Sequence, residues 1–285
     1  MIFPTMRAAG AAMALLVAAS GAAAQENNSE ALLSEAGQLF EMGDRAGLAG
    51  DHHVEAVNYR KAIELVDRAA AMSDPPDPMV VNGRREMILS LGEAYARDRA
   101  HDNALTAYAG LAAEIGGPQQ SVPQDRTERL HLARALRGAV DAGVNSGEVV
   151  AARKALPYLL DVGRAMYVEE PGNTYLTRRL AQDMQAEVVF RWVLKDWEGS
   201  AELARETLAL FRDLAEANPQ SAEALQSRFL WAYGAAELNE DDIELWREAV
   251  ESGDQLVGRG QMKKDHEIFL RASKDRLNRL EQRSF

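Results

Sequence analysis

The residues of this chain best suited to chemistry are Asp51, His52 and His53, three consecutive side chains of the types that bind metal ions. Successive residues of a helix point about 100° apart, so the two imidazoles cannot chelate one ion together. No further ligand follows at helical spacing. We therefore interpret the segment as a polar turn leading into a helix. His101 and Asp102 follow about 50 residues later, and we expect them to cap a similar turn.

No other pattern predicts a reaction centre. The sequence lacks Gly-x-Ser-x-Gly, a phosphate-binding glycine loop, His-Glu-x-x-His and a dinucleotide-binding motif. It has no cysteine, which excludes disulfides, thiolate ligands and cysteine nucleophiles. His131 and His266 are isolated among charged residues, so we expect them to be solvated. We predict no catalytic, cofactor-binding or metal-binding residues.

The four tryptophans lie close together in the last third of the sequence, at Trp192, Trp197, Trp231 and Trp246. Such a group either packs helices together or lines a ligand cage. The acidic run Glu240–Asp242 just before Trp246 precedes a predicted helix, where carboxylates stabilise the helix N-terminus.

The elements that position these residues are predicted to be helices. Apolar residues recur at three- and four-residue spacing after Gln25, and alternating strand patterns are missing. Helix-breaking residues separate the periodic stretches at Pro75–Pro78, Gly116–Pro118, Asn145–Gly147, Glu170–Gly172 and Asn218–Pro219. The pattern predicts an all-α fold of about eleven helices joined by short turns.

The segment Arg85–Pro118 shows how two of these helices pack. Leu91 and Gly92 are followed by Tyr95, and Ala104 by Tyr108. Small residues such as Gly92 and Ala104 allow two antiparallel helices to approach closely, and aromatic rings fill the space beside the contact. A small residue recurs near the start of four predicted helices, with intervals of 48, 48 and 49 residues: Ala56, Ala104, Ala152 and Ala201.

This pattern resembles the tetratricopeptide-repeat (TPR) family, in a long variety with units of nearly 50 residues. The resemblance implies a right-handed α-solenoid of antiparallel helix hairpins over residues 25–260; the alternative is an irregular helical bundle. It also implies a partner-binding groove lined by the first helix of each hairpin. The groove positions are Glu86, Leu89, Glu93, Arg97, Asp183 and Phe190.

Two groove residues allow a sharper expectation. Glu86 and Glu93 lie seven residues apart on one helix face, and Arg97 can pair with Glu93. We expect both glutamates to be exposed, so that replacing them weakens partner binding and leaves stability nearly unchanged.

Residues 261–285 differ from the rest of the acidic chain. From Met262 onward there are seven Lys or Arg against four Asp or Glu. Phe269, Ala272 and Leu280 can form one buried face, which predicts a capping helix at the end of the solenoid. A basic docking tail is the alternative.

The N-terminus has the order of a secretory signal peptide. Arg7 precedes an apolar stretch, and Ala22–Ala24 meets the small-x-small rule for cleavage between Ala24 and Gln25. The stretch is shorter than the ~20 apolar residues of a membrane-spanning helix; the alternative is a buried N-terminal helix. We predict a Sec-type signal over residues 1–24, export to the bacterial periplasm, and no transmembrane segment in the mature chain.

The net charge of −12 argues against nucleic acid or an anionic membrane as the main partner, because both need a positive protein surface. We therefore predict an exported TPR-like scaffold or adaptor that binds a protein or peptide in the cell envelope. The alternative is a solenoid that binds a small ligand or cell-wall fragment. An enzyme is the least favoured reading.

Overall fold

A computed structural model of the protein describes residues 24–73, 75–117 and 121–283, and every regular element in these ranges is helical. The described α-helices are α1 Ala24–Leu48, α2 His52–Ala70, α3 Pro78–Arg97, α4 His101–Gly116, α5 Arg126–Ser146, α6 Val149–Glu169, α7 Thr174–Val193, α8 Trp197–Ala217, α9 Ala222–Leu238, α10 Ile243–Gly258 and α11 Glu267–Arg283, with a short 3-10 helix at Lys264–His266. The predicted all-α class is confirmed.

Short polar side chains begin most of these helices. The cap residues of α2, α3, α5, α7, α8, α9 and α10 each accept a hydrogen bond from a backbone N–H of the first turn: Asp51, Asp77, Asp125, Asn173, Asp196, Ser221 and Asp242. The cap of α4 is Ala100, which provides no such bond. The expectation that His101 and Asp102 cap this turn is therefore wrong.

Successive helices pack as antiparallel hairpins of the α-solenoid type. Gly43, near the end of α1, lies under the ring of Tyr59, and Gly47, one turn later, lies against Glu55 nearer the start of α2. The order of these contacts runs in opposite directions along the two helices. In the later hairpins α3 packs against α4, and α7 packs against α8.

Glycine packs against tyrosine where several helices cross closely. A methyl group added at Gly92 of α3 would lie 2.5 Å from the ring of Tyr108 on α4, and one at Gly138 of α5 would lie 2.6 Å from the same ring. Tyr108 is therefore held between two glycines. The other packing residues predicted for this hairpin also contact the core. Leu91 and Ala104 are buried, and Tyr95 packs against the core of α1–α3.

The repeat spacing predicts Ala201 to be the small residue at the crossing of the fourth hairpin. The structure corrects this prediction, because Ser200 occupies the crossing. Ala56, Ala104 and Ala152 are buried, as their spacing implied. Ser200 is fully buried 48 residues after Ala152, and its hydroxyl donates to the Val188 carbonyl oxygen at 3.0 Å. Ala201 is only partly buried. A serine can occupy the tight crossing because its hydroxyl finds a backbone acceptor.

The chain divides into two compact units, with the boundary at Leu159 and Leu160 inside α6. In unit 1, up to Leu159, α1–α5 pack successively and α3 also contacts α5. In unit 2, from Leu160 onward, α7–α11 pack successively around a core that contains Trp246 and Phe211.

The last helix, α11, packs against α10 and α9, as a capping helix does. Leu270, Ser273 and Leu280 form its buried face. Basic residues of α11 pair with acidic residues of unit 2: Lys274 Nζ lies 2.6 Å from Asp254 Oδ1, and Arg276 Nη2 lies 3.0 Å from Glu240 Oε2. Its positive charge is thus partly neutralised within the unit.

Candidate functional site

Glu86 and Glu93 of the predicted groove lie beside α5 in an ion-pair network. Glu86 Oε1 is 2.8 Å from His131 Nε2, and Arg134 Nη1 donates to both Glu86 oxygens at 2.8 and 2.7 Å. Arg134 Nη2 also lies 3.7 Å from Glu93 Oε1. Glu86 is therefore a part-buried member of a helix-to-helix contact. The expectation that Glu86 is solvent-exposed is wrong, and we now expect its replacement to lower stability.

The network changes the acidity of both glutamates. Burial of Glu86 opposes ionisation, but the hydrogen bond from His131 and the charge of Arg134 outweigh it and lower its pKa to about 2. Burial raises the pKa of Glu93, against the nearby charges of Arg134 and Arg97. These pKa shifts arise where α3 packs on α5, and ion-pair networks between packed helices are a common cause of such shifts.

The other predicted groove residues are also engaged or buried. Leu89 is only 1% exposed and Asp183 is buried, so neither can line an exposed groove; this is a correction. Arg97 Nη2 lies 2.6 Å from Glu55 Oε1 on α2, so it pairs there and not with Glu93 as expected. Phe190 is partly buried on α7.

Three histidines lie beside carboxylates of other residues. His131 is buried against Glu86, which corrects the expectation of a solvated side chain. His52 Nδ1 lies 2.9 Å from Glu55 Oε2, whereas His53 Nδ1 lies 3.5 Å from Asp98 Oδ2. The two imidazoles thus point to different partners. Within the described ranges no cluster of three potential metal ligands occurs.

Unit 2 contains a cleft of about 350 Å³. Side chains of α7 and α9 form its walls, and Phe211 and Leu214 of α8 form its floor. The rings of Phe211 and Trp231 stack with centroids 5.9 Å apart and planes 10° apart. Clefts of this size with an apolar floor are typical ligand sites.

Polar groups surround this floor. On the α7 wall, Gln182 and Gln185 present exposed carboxamides, and in the described part of the chain Gln185 has no hydrogen-bond partner. Arg178 Nη1 lies 3.4 Å from Glu223 Oε1, so an ion pair joins the two walls. On the α9 wall, Ser227 donates its hydroxyl to the Glu223 carbonyl oxygen at 2.9 Å. The cleft therefore combines apolar contact, carboxamides and one exposed charge pair.

Sequence reasoning missed these residues although a signal was present. Arg178, Gln182 and Gln185 follow i, i+4, i+7 spacing on α7, which places three long polar side chains on one face. The buried face of the same helix carries Leu180 and Met184. The pattern alone could not show that α9 would face this polar stripe across a cleft.

The tryptophans fall into three settings. Trp246 is buried and donates its indole N–H to the Glu240 carbonyl oxygen at 2.9 Å, so it packs helices as expected. Trp231 lies in the cleft wall. Trp192 and Trp197 lie exposed at the turn between α7 and α8.

No helix among the described residues is long and apolar enough to cross a membrane. The predicted signal peptide lies almost entirely outside the described residues; of the predicted cleavage pair, both Ala24 and Gln25 fall at the start of α1.

Comparison with known proteins finds no matching family model and no matching curated protein. Among solved structures, one of the S. pombe nuclear import adaptor Nro1 is similar at 13% identity, covering 87% of this chain and 99% of its own, with a TM-score of 0.44. Another, of Nro1 described as a hypoxic regulator of sterol synthesis and nuclear import adaptor, has 12% identity, coverage of 93% and 97%, and a TM-score of 0.44. Similarity this low transfers neither function nor partner to this chain.

Proposed function

We propose that this chain is an exported scaffold of TPR-like hairpins that binds a segment of a partner protein in the cleft of unit 2. The observation that carries the proposal is the cleft itself, with its apolar floor between two walls of polar side chains. The contact surface is therefore assigned to α7–α9 and not to Glu86 and Glu93, whose carboxylates are already paired.

The chemistry of the cleft fits an extended peptide. A peptide backbone alternates N–H donors and C=O acceptors, and each glutamine carboxamide provides both an acceptor and a donor. Gln182 and Gln185 lie on the α7 wall, where they can pair with successive backbone groups. An apolar side chain of the peptide can then contact the partly exposed Leu230 and Trp231 above this floor, and the burial of apolar area adds to the affinity.

The ion pair between Arg178 and Glu223 adds selectivity. Both side chains are largely exposed, so their mutual attraction is weak and either can exchange its partner for a charge on the peptide. A mixed-charge segment is favoured over a strongly acidic one, because the chain carries a net charge of −12.

A small ligand is the second candidate, and Trp231 is the observation that favours it. Its indole ring lines the cleft, and within the described part of the chain its N–H has no hydrogen-bond partner. An aromatic face with a free donor suits a cell-wall fragment that offers hydroxyl and amide groups. Both candidates assume export to the periplasm through the signal at residues 1–24, and neither includes catalysis.

Site-specific photo-crosslinking of the full chain in bacterial envelopes tests the proposal. A photoreactive residue at Gln185 is expected to capture a protein, whereas the same residue at Gln255, an exposed glutamine of α10, is expected to capture none. The captured partner is then expected to bind the purified chain about ten-fold more weakly after Gln182→Ala with Gln185→Ala, a loss of roughly 1.4 kcal/mol, while Gln255→Ala has no effect.

Equal capture at both positions would contradict the assignment of the cleft. Capture of glycan or peptidoglycan fragments at Gln185 would favour the small-ligand candidate instead. Melting curves of the alanine variants check that folding is unchanged, as expected for exposed positions of a helix.

A further inference from the structure

The turn between α7 and α8 carries a compact group of exposed apolar side chains, which we call the tryptophan turn: Val189, Trp192, Val193, Leu194 and Trp197. Each of them is between 46% and 63% exposed. Single exposed apolar residues are common on protein surfaces, but five of them within nine positions at one turn are typical of an interaction site. The group lies outside the cleft lining, so it calls for a separate explanation.

The two indoles are arranged as amphipathic groups. Trp192 and Trp197 meet edge to face with centroids 5.7 Å apart, which leaves large parts of both rings exposed. In the described part of the chain neither indole N–H has a hydrogen-bond partner, in contrast to that of Trp246. Tryptophans with an apolar face and a free N–H concentrate where hydrocarbon meets water in a lipid bilayer.

The charged side chains of the turn are compatible with a position at the boundary between lipid hydrocarbon and water. Arg191 is paired with Glu187 at 2.9 Å, and Asp196 is occupied as the N-cap of α8, where it accepts from the Gly199 N–H at 3.1 Å. Lys195 lies at the tip in a left-handed conformation, with φ of 63°. A lysine there can extend its ammonium group toward lipid phosphates while the apolar residues enter the bilayer.

The size of the group favours lipid over a second copy of the chain. Five large side chains that are about half exposed present on the order of 500 Å². A stable protein interface needs about 800 Å² from each partner, whereas shallow insertion into a bilayer has no such minimum. The turn holds two basic and three acidic residues between Glu187 and Glu198, so attraction to anionic lipid does not drive it.

We propose that the tryptophan turn inserts into the interface of a zwitterionic lipid bilayer and holds the protein at a membrane surface. The proposal does not depend on what the cleft binds. It predicts that binding is insensitive to salt, because the contact is apolar. It also predicts weaker binding to anionic vesicles, since the whole chain is acidic.

Flotation of the full chain with phosphatidylcholine vesicles tests this. The wild type is expected to float at both low and high salt, and vesicles with brominated acyl chains are expected to quench its tryptophan fluorescence. Trp192→Ser with Trp197→Ser is expected to reduce the floated fraction about ten-fold. Val193→Glu, at the most exposed position of the turn, provides an independent variant that leaves both rings in place.

The matched control is Val168→Ser with Tyr175→Ser, which removes two other exposed apolar side chains of unit 2. It is expected to float like the wild type. The proposal is overturned if wild type does not float, or if both turn variants float as well as the control. A wild-type dimer that the turn variants dissociate, without flotation, would overturn it in favour of self-association.

Discussion

At the scale of single residues, several charged side chains pair with residues of neighbouring helices and are not free to bind a partner. Glu86 reaches Arg134 on α5, and Glu55 reaches Arg97 on α3. In unit 2, Glu248 lies between Arg212 and Arg228. Such part-buried pairs specify which helices meet, although breaking one by removing a single partner is costly.

Replacing Glu86 by Gln should make the free energy of unfolding less dependent on pH in the acidic range. The folded-state pKa of about 2 lies below the ordinary value near 4.3, so the ionised carboxylate stabilises the fold above that ordinary value. This stability is lost as the pH falls from about 4.5 toward 2. Glu86→Gln is therefore expected to lower the free energy of unfolding by about 2 kcal/mol at pH 7, with the difference from wild type shrinking toward pH 3.

Urea unfolding between pH 7 and pH 3 measures this difference. Glu41→Gln is the control, because Glu41 pairs with Arg45 on an exposed surface and such pairs contribute little. A constant gap between wild type and Glu86→Gln across this pH range would show that the carboxylate has no depressed pKa.

At the scale of helices, close approach depends on glycine beneath an aromatic ring. Gly92 and Gly138 enclose Tyr108, and Gly43 lies beneath Tyr59 in the first hairpin. The same device recurs where Gly253 of α10 lies against Phe229 of α9. A residue without a side chain lets two helix axes come closer together. Such contacts occur between the two helices of one hairpin and also between adjacent hairpins.

Gly92→Ala should therefore destabilise the protein by about 1–3 kcal/mol. The added methyl group would lie 2.5 Å from the Tyr108 ring, which Gly138 confines from the other side. Gly110→Ala in the neighbouring helix α4 has open space around it and should instead stabilise by about 0.5–1 kcal/mol, through helix propensity. Denaturant midpoints of the two variants should move in opposite directions; midpoints that both rise would exclude the tight crossing.

At the scale of the whole molecule, two compact units each have an apolar core of their own, and α11 closes the second. The two candidate surfaces, the cleft and the tryptophan turn, both belong to unit 2. A scaffold that holds a partner beside a membrane would use both together. The cellular location of such a protein depends on whether its N-terminal residues direct export.

Export should remove residues 1–24. The order of Arg7, an apolar stretch and Ala22–Ala24 predicts cleavage before Gln25. N-terminal sequencing of protein extracted from a bacterial envelope is expected to begin at Gln25. An Ala22→Arg with Ala24→Arg variant, which breaks the small-x-small rule, should keep the uncleaved length. Wild-type protein that begins at Met1 in the cytoplasmic fraction would contradict export.

The sequence by itself determined the helices, their caps and much of their pairing, because these depend on residues close together in the chain. Asp51, Asn173 and Asp242 each accept a hydrogen bond from a backbone N–H three residues later. Gly92 contacts Tyr108 within a single hairpin. Such local signals need no knowledge of distant packing.

Only the tertiary structure decided which surfaces are free. The repeat register placed Leu89 in the partner-binding groove, but α3 packs against α2, α4 and α5, so more of its circumference is covered than one amphipathic stripe implies. Glu86 and Arg134 are 48 residues apart and meet because α3 and α5 adjoin. Likewise the polar stripe of α7 becomes a cleft wall only because α9 lies opposite. Contacts between non-consecutive helices depend on the summed geometry of every intervening turn and crossing, which residue spacing along the chain does not specify.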